Sequence, residues 1–179
     1  MSVVVANLSA SDNYFHFFGL PIRFEIDLTE LNQSYLAVQK EVHPDRFARA
    51  SDSEQRVSMQ LATLANSAFQ TLKDPIQRGL YLCKLHGVDP QLETNTAMPA
   101  VFLMQQMEWR ESLEEIGNDL PALEKLANEV NQSKKLTLFE VSQAIDSACD
   151  FVKAAQLLRA LLFIDKFYIE IDDVMSTLA

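Results

Sequence analysis

The sequence predicts an all-α protein of two domains, and three observations carry that reading. Apolar residues recur at helical spacing along most of the chain, and no stretch shows the strict alternation of a half-buried strand. Helix-starting pairs stand where such stripes begin: Asp27 with Glu30, and Ser51 with Glu54. Only four glycines and six prolines occur in 179 residues, 48% of which are hydrophobic, a composition that suits packed, soluble helices.

The elements follow in order. Asn13 is a possible cap for a short aromatic helix, Tyr14 to Phe18, closed by Gly19, Leu20 and Pro21. His16, among these aromatics, is expected to pack. Leu28, Leu31, Tyr35, Val38 and Val42 give the next helix one apolar face over four turns. Val57, Leu61, Leu64, Ala68, Phe69 and Leu72 do the same for a long helix that Asp74-Pro75 ends. A further helix over 76–86 closes at Gly87. Residues 87–96 are a polar linker, which separates a domain at about 12–86 from one at about 97–179. The second domain holds three helical stretches, roughly 98–117, 120–146 and 149–177.

Between the first two long helices lies His43-Pro44-Asp45. Proline lacks an amide hydrogen and clashes with the preceding turn, and it pushes the residue before it out of the helical region. The tripeptide is therefore presented on a turn between antiparallel helices. By itself it reads more readily as an ordinary turn in which Asp45 caps the next segment and His43 is idle. A catalytic His/Asp dyad is disfavoured, because no nucleophile or third group is placed beside it.

Bulk properties exclude other classes. Fifteen basic and 25 acidic residues give a net charge of −10, which argues against a nucleic-acid partner. The segment 1–6 lacks the basic region and long apolar core of a secretory signal, and no apolar run approaches membrane-spanning length. Cys83 and Cys149 are 66 residues apart with no Cys-x-x-Cys, and both are expected to be buried thiols in a reducing compartment, the cytoplasm. Neither His16 nor His86 is assigned a ligand role, and no metal or cofactor is expected.

In the stretch 98–117, at about 100° per residue, Phe102, Trp109, Leu113 and Ile116 share a core-facing stripe. Leu103, Met104 and Met107 fall away from it, and Met104, Glu108, Glu111 and Glu115 line one edge. An apolar patch with a carboxylate rim is a candidate binding surface, although the same residues could pack on a neighbouring helix. In the last helix Leu157, Leu161, Ile164, Tyr168, Ile171 and Met175 form a core stripe, with Phe163 about 120° away.

A helical hairpin with His-Pro-Asp at its turn, flanked by short helices, is the arrangement of a J-domain. With Tyr14-Phe15, Phe18-Gly19-Leu20-Pro21, His43 to Phe47, Asn66, Ala68, Thr71-Leu72, Asp74-Pro75, Arg78, Tyr81-Leu82, Leu85-His86-Gly87 and Phe102 to Glu108, the chain resembles the HscB family. Members are J-type co-chaperones of iron–sulfur cluster assembly. The resemblance implies an L-shaped molecule, with an N-terminal J-domain and a C-terminal three-helix bundle, that is not an enzyme. It implies that His43, Pro44 and Asp45 stimulate a DnaK-type ATPase chaperone, HscA, with Lys40 and Arg46 as docking cations. It also implies that Leu103, Met104, Met107, Glu108, Glu111, Glu115 and Phe163 bind the scaffold protein IscU. J-domains usually carry a basic face before the loop. This chain departs from that, offering Lys40 amid Asn32, Gln33 and Gln39, with Arg46, Arg49 and Arg56 after the loop. A general J-protein serving unfolded clients, or a small all-α enzyme, are the alternatives.

Overall fold

The computed structural model describes residues 13–47, 50–89 and 98–178, and among these every regular element is helical. The helices are α1 (Tyr14–Phe18), α2 (Leu28–Val42), α3 (Asp52–Lys73), α4 (Pro75–Leu85), α5 (Ala100–Ile116), α6 (Leu120–Ser142) and α7 (Phe151–Leu178). A 3₁₀ turn at Pro44–Phe47 and a π turn at Gln143–Ser147 complete them. The chain divides into two compact units, 1–82 and 83–179. Most of the linker expected at 87–96 lies outside the described residues.

Local chemistry sets the helix ends of the first unit. The Asn13 side chain accepts the His16 amide at 3.0 Å, and Asp27 accepts those of Thr29 and Glu30. Those two bonds hold the Asp27 carboxyl below its usual range. Ser51 and Glu54 form the reciprocal capping box. After α1, Gly19 takes φ +69°, and the Gly19 and Leu20 amides bond back to His16 and Phe15. Gly87 repeats the pattern at φ +75°, with Gly87 and Val88 bonding to Lys84 and Cys83. A side chain at either site would strain this left-handed closure.

The core of the first unit is the seam of the α2–α3 hairpin, closed by the aromatic face of α1. Leu31, Val38 and Val42 of α2 meet Leu61, Ala65, Ala68, Phe69 and Leu72 of α3, with Phe15, Phe17 and Phe18 from α1. Leu28 and Leu64, expected on these stripes, are 46% and 36% exposed because they lie at the edges of the seam. Tyr35 stacks on Phe69 at 4.2 Å and donates to Asn66 Oδ1. Gln39 donates to the same oxygen, which fixes the register of the hairpin.

Arg78 is the charged residue at the centre of this unit. It is 6% exposed, donates through Nε to the Phe24 carbonyl and through Nη1 to the Leu72 carbonyl, and lies over the Phe24 ring. The bent segment between α1 and α2 is thereby pinned to the end of α3. His16 departs from expectation: it is exposed, because the apolar face of this five-residue helix consists of Phe15, Phe17 and Phe18.

In the second unit α6 and α7 form a long hairpin with α5 packed on it. Its core gathers Trp109, Leu123, Leu126, Val130, Ile164, Phe167 and Ile171, with Phe102, Leu113 and Ile116 partly buried against it. Leu158 and Phe167 are buried in α7 as well, so its core stripe is wider than the sequence pattern suggested. The helical path continues past Ser142 through the π turn, and the break falls at 148–150. Cys149 sits in that break with φ +53° and is exposed, which corrects the expectation of two buried thiols. Cys83 is buried, and desolvation pushes its thiol up to about 11. His86 stacks on Phe151 at 3.7 Å, so it serves packing at the end of α4.

Replacing Arg78 with Ala strips two carbonyls of their donor in a buried site. The expected loss is about 2–4 kcal/mol in urea denaturation, and Arg78→Lys should not restore it, since one ammonium cannot reproduce the forked geometry.

Candidate functional site

The His43-Pro44-Asp45 turn is built from the end of α2. His43 ends the helix with φ −59° and ψ 128°, the extended geometry a following proline imposes. Pro44 then opens a 3₁₀ turn, closed by the Arg46 amide on the His43 carbonyl at 3.0 Å.

Stopping α2 here leaves its last carbonyls without intrahelical donors, and two of them are served from elsewhere. The buried Ser58 hydroxyl of α3 donates to the Val42 carbonyl at 2.6 Å. Arg46 Nη1 donates to the Lys40 carbonyl at 2.9 Å and pairs with Glu41 at 3.1 Å. The turn is thus fixed to the α3 side of the hairpin and to the end of α2.

What it displays is polar and open. The side chains of His43 and Asp45 are 54% and 91% exposed. His43 Nδ1 is 3.3 Å from the Asp45 amide and 3.5 Å from its carboxylate. These contacts are alternatives, because a bare Nδ1 accepts the amide and a protonated one faces the carboxylate. Either way Nδ1 is occupied within the turn. Lys40, one turn back, is exposed, whereas Arg46 already has partners inside the turn. Arg49 lies outside the described residues, and Arg56 bonds to the Asp52 carbonyl at the start of α3.

A second cluster lies on the second unit. Trp109 holds the buried face of α5, and its indole nitrogen donates to Glu129 of α6. On the opposite side Leu103, Met104 and Met107 are 45%, 62% and 62% exposed. Glu108, Glu111 and Glu115 are exposed along the adjoining edge. Phe163 of α7 is 51% exposed. The seven residues singled out on these two helices therefore all stand at the surface, clear of the core.

Sequence reasoning missed Ser58, which reads as one polar residue in an amphipathic helix. Its position one residue beyond Val57 in the apolar stripe was the available signal. Among the described residues no group of His, Cys, Asp and Glu gathers to hold a metal ion, and no helix is long and apolar enough to cross a membrane.

The chain is similar to known proteins over most of its length. Residues 98–172 match the family described as the HSCB C-terminal oligomerisation domain. The co-chaperone protein HscB homolog of Ralstonia nicotianae is 49% identical over 160 residues, 88% of this chain and 91% of that one. That of Burkholderia mallei is 45% identical over 166 residues, covering 92% and 94%. Among solved structures, the chaperone HscB from Vibrio cholerae superposes with a TM-score of 0.82 at 36% identity, over 93% of this chain and 99% of that one. The crystal structure of the human co-chaperone protein HscB gives 0.84 at 31%, covering 91% and 82%.

Ser58→Ala removes a buried donor from the buried Val42 carbonyl. It should cost about 1–3 kcal/mol in urea denaturation and speed hydrogen exchange at the Arg46 amide, which closes the turn.

Proposed function

This chain belongs to the HscB family of co-chaperones, whose role is not enzymatic, and we propose that it acts as a tether between an iron–sulfur scaffold protein of the IscU type and a DnaK-type ATPase chaperone of the HscA type. The first unit meets the chaperone through His43, Pro44 and Asp45, with Lys40 and Arg46 beside them. The second unit holds the scaffold through Leu103, Met104, Met107, Glu108, Glu111, Glu115 and Phe163. Iron–sulfur protein maturation in the cytoplasm is the process served.

The observation that carries this reading is the exposed apolar ridge of α5, edged by carboxylates and carried on the unit that lacks the His-Pro-Asp turn. Large apolar side chains left open beside a charged rim suit a protein partner. Methionines adapt their shape to it. With both partners on one chain, their encounter becomes intramolecular, and its effective concentration rises without any new contact between them.

Chemistry at the turn follows from which atoms remain available. Asp45 offers an open carboxylate to a chaperone guanidinium, a charge-assisted and directional contact. His43 meets the chaperone through Nε2, since Nδ1 is engaged inside the turn. Arg46 holds the turn in shape as well as contributing charge. Stimulation of ATP hydrolysis would then be the response of the chaperone's own polar network to this contact. No bond is made or broken on this chain.

Single-turnover ATP hydrolysis by the cognate chaperone, measured with this protein and the scaffold, is the direct test. Synergistic stimulation is expected for the wild type and its loss for His43→Gln. Stimulation indifferent to the scaffold would favour a general J-protein for unfolded clients. Leu103→Ala should weaken scaffold binding at least about tenfold. Its melting temperature should stay within about 2 °C, as befits a surface residue. A fall of several degrees would make Leu103 a core residue.

A further inference from the structure

The ridge on α5 is ordered by charge. At about 100° per residue Met107 forms its crest, Met104, Glu108, Glu111 and Glu115 fall on one slope, and Leu103, Gln106 and Arg110 on the other. The second slope runs down to α7, where Gln106, Trp109, Arg110, Phe163, Lys166 and Phe167 line a groove. Trp109 and Phe167 stack at 5.9 Å in its wall, and Phe163 stands half exposed at its edge.

The charged side chains lining this groove are both cations. Arg110 lies 6.0 Å over the Phe167 ring, and Lys166 is exposed. The acids nearby are Glu170 and Glu114. Glu170 is 3.9 Å from Arg110 and stands one turn along α7 from Lys166. Glu114 is one turn along α5 from Arg110. In a chain of net charge −10, two cations around an exposed phenylalanine, across a crest from three carboxylates, mark a distinct subsite.

We infer that this groove receives an acidic side chain, adjoining an apolar one, from the same scaffold protein that covers Leu103 and Met107. The apolar side chain rests on Phe163, and the carboxylate sits between Arg110 and Lys166. This rests on the scaffold-binding reading of the ridge and adds a direction to it. With Glu108, Glu111 and Glu115 on one slope and Arg110 and Lys166, beside Glu170 and Glu114, on the other, a partner turned end for end would set its acidic side chain against three carboxylates. Arg110 and Lys166 are thus specificity-determining residues, with Arg110 also held by Phe167 and Glu170.

The test is titration calorimetry of the full chain against the cognate purified scaffold, at low and high salt. Lys166→Glu should weaken binding about tenfold and flatten its salt dependence. Arg110→Gln should weaken it about threefold, and neither should change the thermal melt. If Lys166→Glu binds like wild type while Leu103→Ala binds poorly, the ridge reading stands and the groove assignment falls. Tighter binding by Lys166→Glu would mean that the partner presents a cation, and would equally overturn it. If Leu103→Ala and Phe163→Ala both bind like wild type, the two readings fall together. If Lys166→Glu alters only self-association in sedimentation, the groove serves a second copy of this chain and the inference is wrong.

Discussion

The first unit is organised by the inability of Pro44 to continue α2. A helix that must stop at Val42 leaves its last carbonyls without helical donors, and where one is buried, as at Val42, the lack would cost about as much as a lost hydrogen bond. The two solutions found, Ser58 on the Val42 carbonyl and Arg46 on the Lys40 carbonyl, also decide where the turn sits. One reaches across from the facing helix and the other folds back from the turn itself. Tyr35, Gln39 and Asn66 then lock the hairpin one to two turns further down. The result is a rigid display of His43 and Asp45, in which one restraint lies on the buried Val42 carbonyl, the other on the exposed Lys40 carbonyl, and the displayed groups are left open. Rigidity of this kind lowers the ordering cost when a partner arrives.

The second unit reaches its surface chemistry by a different route. In a three-helix arrangement α5 buries one narrow stripe, and Trp109 is its single fully enclosed side chain. Every further apolar residue on that helix is surplus to the core. Leu103, Met104 and Met107 are therefore exposed by geometry, and the carboxylates beside them keep the patch hydrated. The α6–α7 hairpin carries most of the enclosed apolar residues of this unit, such as Leu123, Val130, Leu158, Leu161 and Ile171. Changes on the outer face of α5 can accordingly be made with little effect on packing.

Much of this was legible from sequence because the signals were local. Asn13, Asp27, Ser51 with Glu54, Gly19, Gly87 and Pro75 each act within four or five residues, and each behaves as its local chemistry dictates. The outward turn of Leu103, Met104 and Met107 followed from the angle between them and Trp109. What was missed depended on a second element. Ser58 and Arg78 look like ordinary polar residues until Val42, Phe24 and Leu72 are brought beside them. Phe167, at helical spacing between Ile164 and Ile171, was left off the stripe, and Trp109 of α5 stacks on it. His16 lies among apolar neighbours in sequence, yet a helix of five residues has only one inward face, and three phenylalanines fill it. Cys149 counted as a small apolar residue, but the chain reverses at that point and turns it outward.

Trp109 is the only tryptophan in the chain, and it lies 3% exposed in the second unit, beside the groove and against Phe167. Intrinsic fluorescence excited at the red edge of the absorption band therefore comes from one place. It is blind to the unfolding of the first unit, which far-ultraviolet dichroism records in full. The two optical signals together separate the melting of one unit from that of the other without any added label. The same indole is a native probe for whatever settles in the groove beside it.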